Sequence, residues 1–440
     1  MFEVSGAVVS QWVTHLADAS RELTDTERVD LIRALEDLKS AAAAAQATAA
    51  VDLDTSQRTV QEQRGWPAAR LGEGVASQIG LARRESPTKA SRLLGLAKVL
   101  HREMPHTLGL MRAGALSEWR ATILARETAC LSLEDRREVD RRLCGPGGTG
   151  PTLSDTALAN AARKLAADLD NAAVAARARK AESDRHVTLR PAPDTMTWFS
   201  ALLPVKQGVA VFAALKAAAD TARSSGDPRS RGQVMADTLV ERVTGTSVTD
   251  PVRVNLDLVM TDRTFFHTDD PEGQESAHVP GYGPVPAEWA HDLLADAPDA
   301  VQVWVRRLYT HPTTGQLVAM DSRARHAPAG LADLVRRRDH DLCRTPWCGA
   351  PIRVADHITE WQSTHETSEV NTQGLCERCN LAKQAPGWSA RPSFATQVGI
   401  GRHTVVTTTP TGHTYRSRAP APLGHIDYNS RTTLAYDLIA

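Results

Sequence analysis

Four of the six cysteines fall into two close pairs, Cys343 with Cys348 (CxxxxC) and Cys376 with Cys379 (CxxC), and residues 349–375 separate the pairs. A short spacing lets each pair present both sulfurs on one side, so two such pairs can close a tetrahedral thiolate site when the intervening chain folds back. Four thiolates leave no position open for water, so a zinc ion held there would stabilise the fold and do no chemistry. The competing reading is four free thiols that happen to cluster. Crowded pairs in a chain with so few other cysteines favour metal over disulfide. Cys130 and Cys144 stand apart and read as ordinary buried cysteines.

Between and after the pairs lie Asp356 and His357 in RVADHITEW, Asn371 in EVNTQGLC and Asn380 in CERCNLAK. Hydrolysis of a phosphodiester needs a base to deprotonate water and a cation to offset charge developing on the phosphate and the departing oxygen. His357 can be substantially neutral near pH 7 and accept a proton, which makes it the candidate general base. Asp356 and the side-chain oxygen of Asn380 are hard donors of the type magnesium prefers, so they are the candidate ligands of a catalytic Mg2+ or another divalent cation. Neighbouring residues of a regular strand point to opposite faces, so Asp356 and His357 can serve one phosphate only if a bulge or strand end falls there. Asn380 directly follows the second pair, so zinc would fix it at the start of a helix.

This arrangement resembles the HNH endonuclease family, two β-strands and a helix around a catalytic metal, in the subtype that carries a four-cysteine zinc. The motif letters fall at His357, Asn371 and Asn380. The resemblance implies that Asn371 orients the loop carrying the base, and that the products carry 5′-phosphate and 3′-hydroxyl ends. Asparagine instead of histidine at position 380 keeps a metal-binding oxygen and alters metal preference. Upstream, REMPHTLGLMRAGALS, TMTWFSALLPVKQGVAVFAALKAAADTAR and VPGYGPVPAEWAHDLL resemble a large bacterial family in which a long domain of unknown function precedes an HNH module.

The elements that must carry these residues are mostly helical. Thr24 and Glu27 form a capping box before Val29, Ile32, Leu35 and Leu38, which recur on one helix face. Helical patterns follow over about 75–103 and 116–131, broken at Pro87, Pro105 and Gly114, then a CGPGGTGPT loop and a helix over about 154–183. From Val187 the period changes to alternation: strands are expected near 187–189, 196–203 and 252–260, with a helix over 205–224. A turn-rich stretch, a short helix and a hairpin VQVWVRRLY…LVAMD come next, and His403–Arg418 reads as a last hairpin turning at PTGH. The expected fold class is α+β, mostly α. The expected domains are a helical one at 1–150, a helix plus α+β region at 151–328, the HNH module at 329–392 with a ββα-metal fold, and a hairpin and tail at 393–440.

The net charge of −1 gives no global attraction to nucleic acid, so DNA as partner must rest on local patches. Arg336, Arg337, Arg338, Arg344 and Lys383 are the candidate phosphate contacts, although Glu360, Glu366, Glu369 and Glu377 nearly balance them. A basic stretch from Arg83 to Arg102 offers a second, helix-turn-helix route to DNA. Trp347, Trp361 and Trp388 are expected in the module's small core, and His365, His403 and His413 on its surface. No secretory leader or membrane-spanning run is visible, so the default location is the cytoplasm, without a membrane partner. The leading functional expectation is a metal-dependent DNA endonuclease. The alternatives are a non-catalytic zinc-dependent DNA-binding module, and a helical scaffold or regulator supplied by the N-terminal part.

Overall fold

A computed structural model describes residues 5–17, 22–247, 257–261, 264–265, 275–295, 327–365, 367–393 and 402–420. After α1 (Gly6–Ala17), the expected capping box opens α2 (Asp25–Gln63): Thr24 N–H donates to Glu27 Oε2 at 2.7 Å. The inward side of α2 is not the predicted aliphatic stripe. Val29 and Ile32 are exposed, and it is Ala43, Ala44 and Ala47 that are buried, because small side chains let neighbouring helices approach closely.

By its contacts the chain divides into two compact units, Met1–Ser56 with Arg92–Arg177, and Gln57–Ser91 with Ala178–Ala440. In the first, α4 (Pro87–Arg102, from Arg92), α5 (Pro105–Arg112), α6 (Glu118–Glu127), α7 (Leu133–Cys144), α8 (Asp155–Leu169) and α9 (Asn171–Ala181, to Arg177) join part of α2. Their core contains Leu100, Met104, Met111, Leu124, Val139 and Leu158. The unit runs past residue 150, since Leu158, Ala162 and Ala166 of α8 belong to this same core. The buried Asp140 carboxylate accepts from the N–H groups of His106 and Thr107 at 2.8 Å, so it caps the start of α5.

The second unit takes in the end of α2 from Gln57, α3 (Val75–Arg83) and the first turn of α4. Gly80 allows α3 and α4 to cross, since a Cβ there would lie 3.0 Å from that of Ala90. Next come the antiparallel pair β1 (His186–Pro191) and β2 (Thr197–Leu202), then α10 (Val205–Ser224) and α11 (Arg231–Thr244). The strands and α10 were expected and α11 was not, although Ser230 and Gln233 form its capping box. A short hairpin of β3 (Ala277–Val279) and β4 (Gly283–Val285) precedes α12 (Ala287–Ala295). The VQVWVRRLY…LVAMD hairpin and most of the 252–260 strand lie outside the described residues.

The cysteine region consists of α13 (Ala329–Arg338), β5 (Val354–His357), α14 (Trp361–Thr364), β6 (Thr372–Leu375) and α15 (Glu377–Lys383). β5 and β6 pair antiparallel with Asp356 opposite Gln373 and His357 opposite Thr372. β7 (Ser389–Ser393), β8 (Thr404–Thr408) and β9 (Thr414–Arg418) then form a three-stranded antiparallel sheet, the expected last hairpin plus one strand that was not expected. The described chain is therefore α+β and mostly α. Among the described residues, no helix is long and apolar enough to cross a membrane.

Candidate functional site

A ribbon closed by Cys343 N–H to Ala350 O, 2.8 Å, and Ile352 N–H to Asp341 O, 2.9 Å, carries Cys343 and Cys348. Cys376 is the N-cap of α15 and Cys379 lies in its first turn, so the helix itself sets the second pair. The four sulfurs lie within 4.8 Å of one another, with Cys348–Cys376 at 3.7 Å and Cys348–Cys379 at 3.6 Å. A tetrahedron with metal–sulfur bonds of about 2.3 Å has edges of about 3.8 Å, so this cluster has the size to hold a metal ion. Hydrogen bonds among the four sulfurs pull Cys343 down to about 7 and Cys376 lower still while pushing Cys348 and Cys379 up, so thiols this close share their protons, and a cation is what would let all four be thiolates. All six cysteines are free of disulfides; Cys144 is buried, which pushes its thiol up to about 11, and Cys130 is half-buried.

β5 ends at His357, in a regular register without a bulge, so of the two required alternatives the strand end is the one observed. The chain beyond it is pinned by Asn371. Its Oδ1 accepts from Thr359 N–H at 2.8 Å, its Nδ2 donates to Thr359 O at 3.0 Å, and its backbone O accepts from Ile358 N–H at 2.7 Å. Asn371 thus ties down the backbone of Ile358 and Thr359, the two residues that follow His357. The His357 ring places Nε2 2.8 Å from the buried Thr367 hydroxyl. Sequence reading missed Thr367, which has no spacing signal.

On α15, Asn380 and Lys383 are three residues apart and share one side. Lys383 Nζ donates to Asp356 Oδ2 at 2.6 Å and to the backbone oxygen of His357. Asn380 Oδ1 is buried and has no hydrogen-bond partner. The structure therefore brings Asp356, His357, Asn371 and α15 together at one end of the β5–β6 pair.

The arginines separate into two groups. Arg336 is exposed, and Arg337 is half-buried beside Asp333 at 3.2 Å. Arg338 and Arg344 are buried, which corrects their expected role as phosphate contacts. Arg338 holds Asp339 through two bonds, 2.9 and 3.0 Å, and Glu369 at 2.7 Å, while Arg344 donates to Ser417 O at 2.7 Å and His403 O at 3.1 Å. Burial lowers Arg344 to about 10 despite Asp339 beside it. Asp339 Oδ2 also accepts from Gly374 N–H at 2.9 Å; there a side chain would strike Ile352. This network joins α13, the cysteine ribbon, β6 and the last sheet. Lys383, expected on phosphate, is already engaged by Asp356.

Two further expectations change. Trp347 is exposed and Trp361 and Trp388 are half-buried, whereas Leu331, Val335, Ile352, Ile358 and Leu375 fill the interior. His403 is buried, not on the surface, with Nε2 3.0 Å from Val370 O; burial, together with Arg338 and Arg344 nearby, holds its imidazole down at about 3. His365 and His413 are exposed as expected.

The 57–91 stretch packs on this region. Arg378 of α15 donates to Ser91 Oγ at 2.7 Å, Thr411 at the β8–β9 turn donates to Gln78 Oε1 at 3.2 Å, and Gly74 lies against the Trp388 ring. No curated protein and no solved structure matches the chain. A family model described as a domain of unknown function, DUF222, matches residues 33–339 and so ends on Asp339, the central carboxylate of the buried network. Since that match spans well over half of the sequence, the chain belongs to the DUF222 family.

Proposed function

We propose that this protein is an HNH-type endonuclease that hydrolyses DNA phosphodiester bonds with a divalent cation, in the cytoplasm. The observation that carries the reading is the Asn371 clamp, which holds the chain immediately after His357 at the end of β5, beside a helix that presents Asn380. Sulfur-only donors at tetrahedral spacing suit zinc, which would fix α15 and thereby Asn380. For the catalytic ion, the residues present fit: Asn380 contributes a buried oxygen with no hydrogen-bond partner, and Asp356 a carboxylate. Such an ion, when bound, supplies Lewis-acid stabilisation to phosphate oxygens.

The protein's own groups account for the rest. His357 Nε2 lies 2.8 Å from the Thr367 hydroxyl, and in the tautomer whose Nε2–H donates to that hydroxyl, Nδ1 is basic and takes the proton of the attacking water. Asn371 keeps that ring at the strand end. Arg336 and Arg353 are exposed cations of the module for backbone phosphates.

One observation favours a second reading, a zinc-dependent DNA-binding module without turnover: Asp356 already has a cation partner in Lys383. Plasmid DNA with Mg2+ or Mn2+ separates the two. Nicking or linearisation is expected, and His357→Ala is expected to lower its rate by about 100-fold or more while zinc content stays unchanged. Cutting that survives His357→Ala removes His357 as the base; no cutting with either metal, on single- or double-stranded DNA, favours the binding module.

A further inference from the structure

Asp356 and Lys383 form a half-enclosed pair, their side chains 19% and 15% exposed, and the ammonium lies 2.6 Å from Oδ2. The same ammonium also bonds the backbone oxygen of His357. One turn earlier on α15, on the same side, Asn380 Oδ1 is buried without a partner. A carboxylate, a carbonyl and an amide oxygen are the donors a hard dication takes, and a protein cation already occupies two of them. Unlike a buried arginine fork, lysine is a point charge on a flexible stem. Lys383 is also the last residue of α15, so its side chain can swing away without breaking a helical turn.

We propose that Lys383 is a resident cation of this site, which competes with a divalent metal ion for the Asp356 carboxylate and so sets the metal concentration at which the site fills. The proposal rests on the nuclease reading for the identity of the site, and concerns its regulation. Two cations cannot share one carboxylate oxygen at this range without strong repulsion, so binding one displaces the other. In the absence of a divalent ion, Lys383 spares a partly buried carboxylate from standing unpaired and keeps Asp356 in place. Lys383 is thus a positioning residue that acts through Asp356.

The test uses the full chain with its zinc retained and Mn2+ alone as the probe, free Mn2+ being followed by electron paramagnetic resonance. Lys383→Met is expected to bind Mn2+ about tenfold more tightly than the natural chain, because the competing charge is gone. Lys383→Arg, which keeps the charge, is expected to stay within about threefold of it. Asp356→Asn is expected to weaken Mn2+ binding both in the natural chain and in combination with Lys383→Met. Equal or weaker Mn2+ binding by Lys383→Met overturns the proposal, as does Mn2+ affinity indifferent to Asp356→Asn. A purely structural role for Lys383 predicts loss of affinity, the opposite sign. Plasmid cutting measured in parallel separates the two ideas: cutting with Mn2+ affinity unmoved by Lys383→Met sinks the competition alone, whereas neither Mn2+ binding nor cutting sinks the nuclease reading with it.

Discussion

In the helical unit one apolar cluster runs from Ala43 and Ala44 on α2 through Leu100, Met111 and Leu124 to Leu158 and Ala166 on α8, whereas around the cysteines the corresponding cluster is Cys343, Leu375, Cys376 and Cys379. The first can be held by removal of hydrocarbon from water, at about 25 cal/mol per Å². The second cluster is smaller, and although Leu331, Val335, Ile352 and Ile358 are also buried in the module, the groups buried beside it include charges: Arg338, Arg344, Asp339 and Glu369. Such groups are costly to bury singly and tolerable only as a complete set. In the module, buried charge and a cysteine cluster of a size to hold a metal ion thus stand beside a smaller apolar interior, and the two regions should fail for different reasons.

The largest difference is expected on metal removal. Structural zinc in small thiolate sites contributes about 10–16 kcal/mol of apparent binding free energy, which is folding free energy when the site has no other support. Chelation, or Cys379→Ser, should abolish amide protection over residues 343–383 in hydrogen exchange and leave it intact over 92–169. Protection in 343–383 that survives complete zinc loss would break the comparison. Next is the buried carboxylate. Asp339→Ala leaves Arg338 and Arg344 without their shared anion, and should destabilise the module by about 3–5 kcal/mol in denaturant titration. Leu100→Ala should cost about 2–5 kcal/mol in the helical unit while zinc retention is unchanged.

The contrast also explains what was legible in the sequence. Local signals survived: the Thr24–Glu27 box, the helix breaks at Pro87 and Pro105, the β8–β9 hairpin, and the cysteine pairs, whose spacing alone specifies a closed cluster. The α11 box at Ser230 was equally local and was simply not read. Burial of charge was not legible, because Arg338 differs from exposed Arg336 only in the helix face it occupies and in partners such as Glu369, 31 residues away. At the candidate site Asp356, His357, Asn371 and Asn380 were singled out by residue type and by the motif resemblance. The Lys383–Asp356 ion pair was not read, although the three-residue spacing of Asn380 and Lys383 placed both on one side of α15. Trp388 misled for a related reason, since part of its cover is Gly74, far away in sequence.

The smallest expected effect comes from His403, and it sharpens the comparison by its sign. Its folded-state pKa lies near 3, below the roughly 6.5 of an unfolded histidine. Above pH 6.5 the imidazole is neutral in both states and contributes no pH dependence. As pH falls below that value the unfolded chain takes up a proton that the folded module cannot, so stability declines by up to about 1.4 kcal/mol per pH unit until folded His403 itself titrates. The decline should appear in the module between pH 6.5 and 4.5 and shrink in His403→Gln, which retains a donor for Val370 O. Carboxylates that titrate in the same window act on both variants, so the difference between the two pH profiles isolates the histidine. If those profiles are parallel, His403 is not held neutral by burial and by Arg338 and Arg344 beside it, and the cost of burying charge in this module must be placed on Asp339 and Glu369 instead.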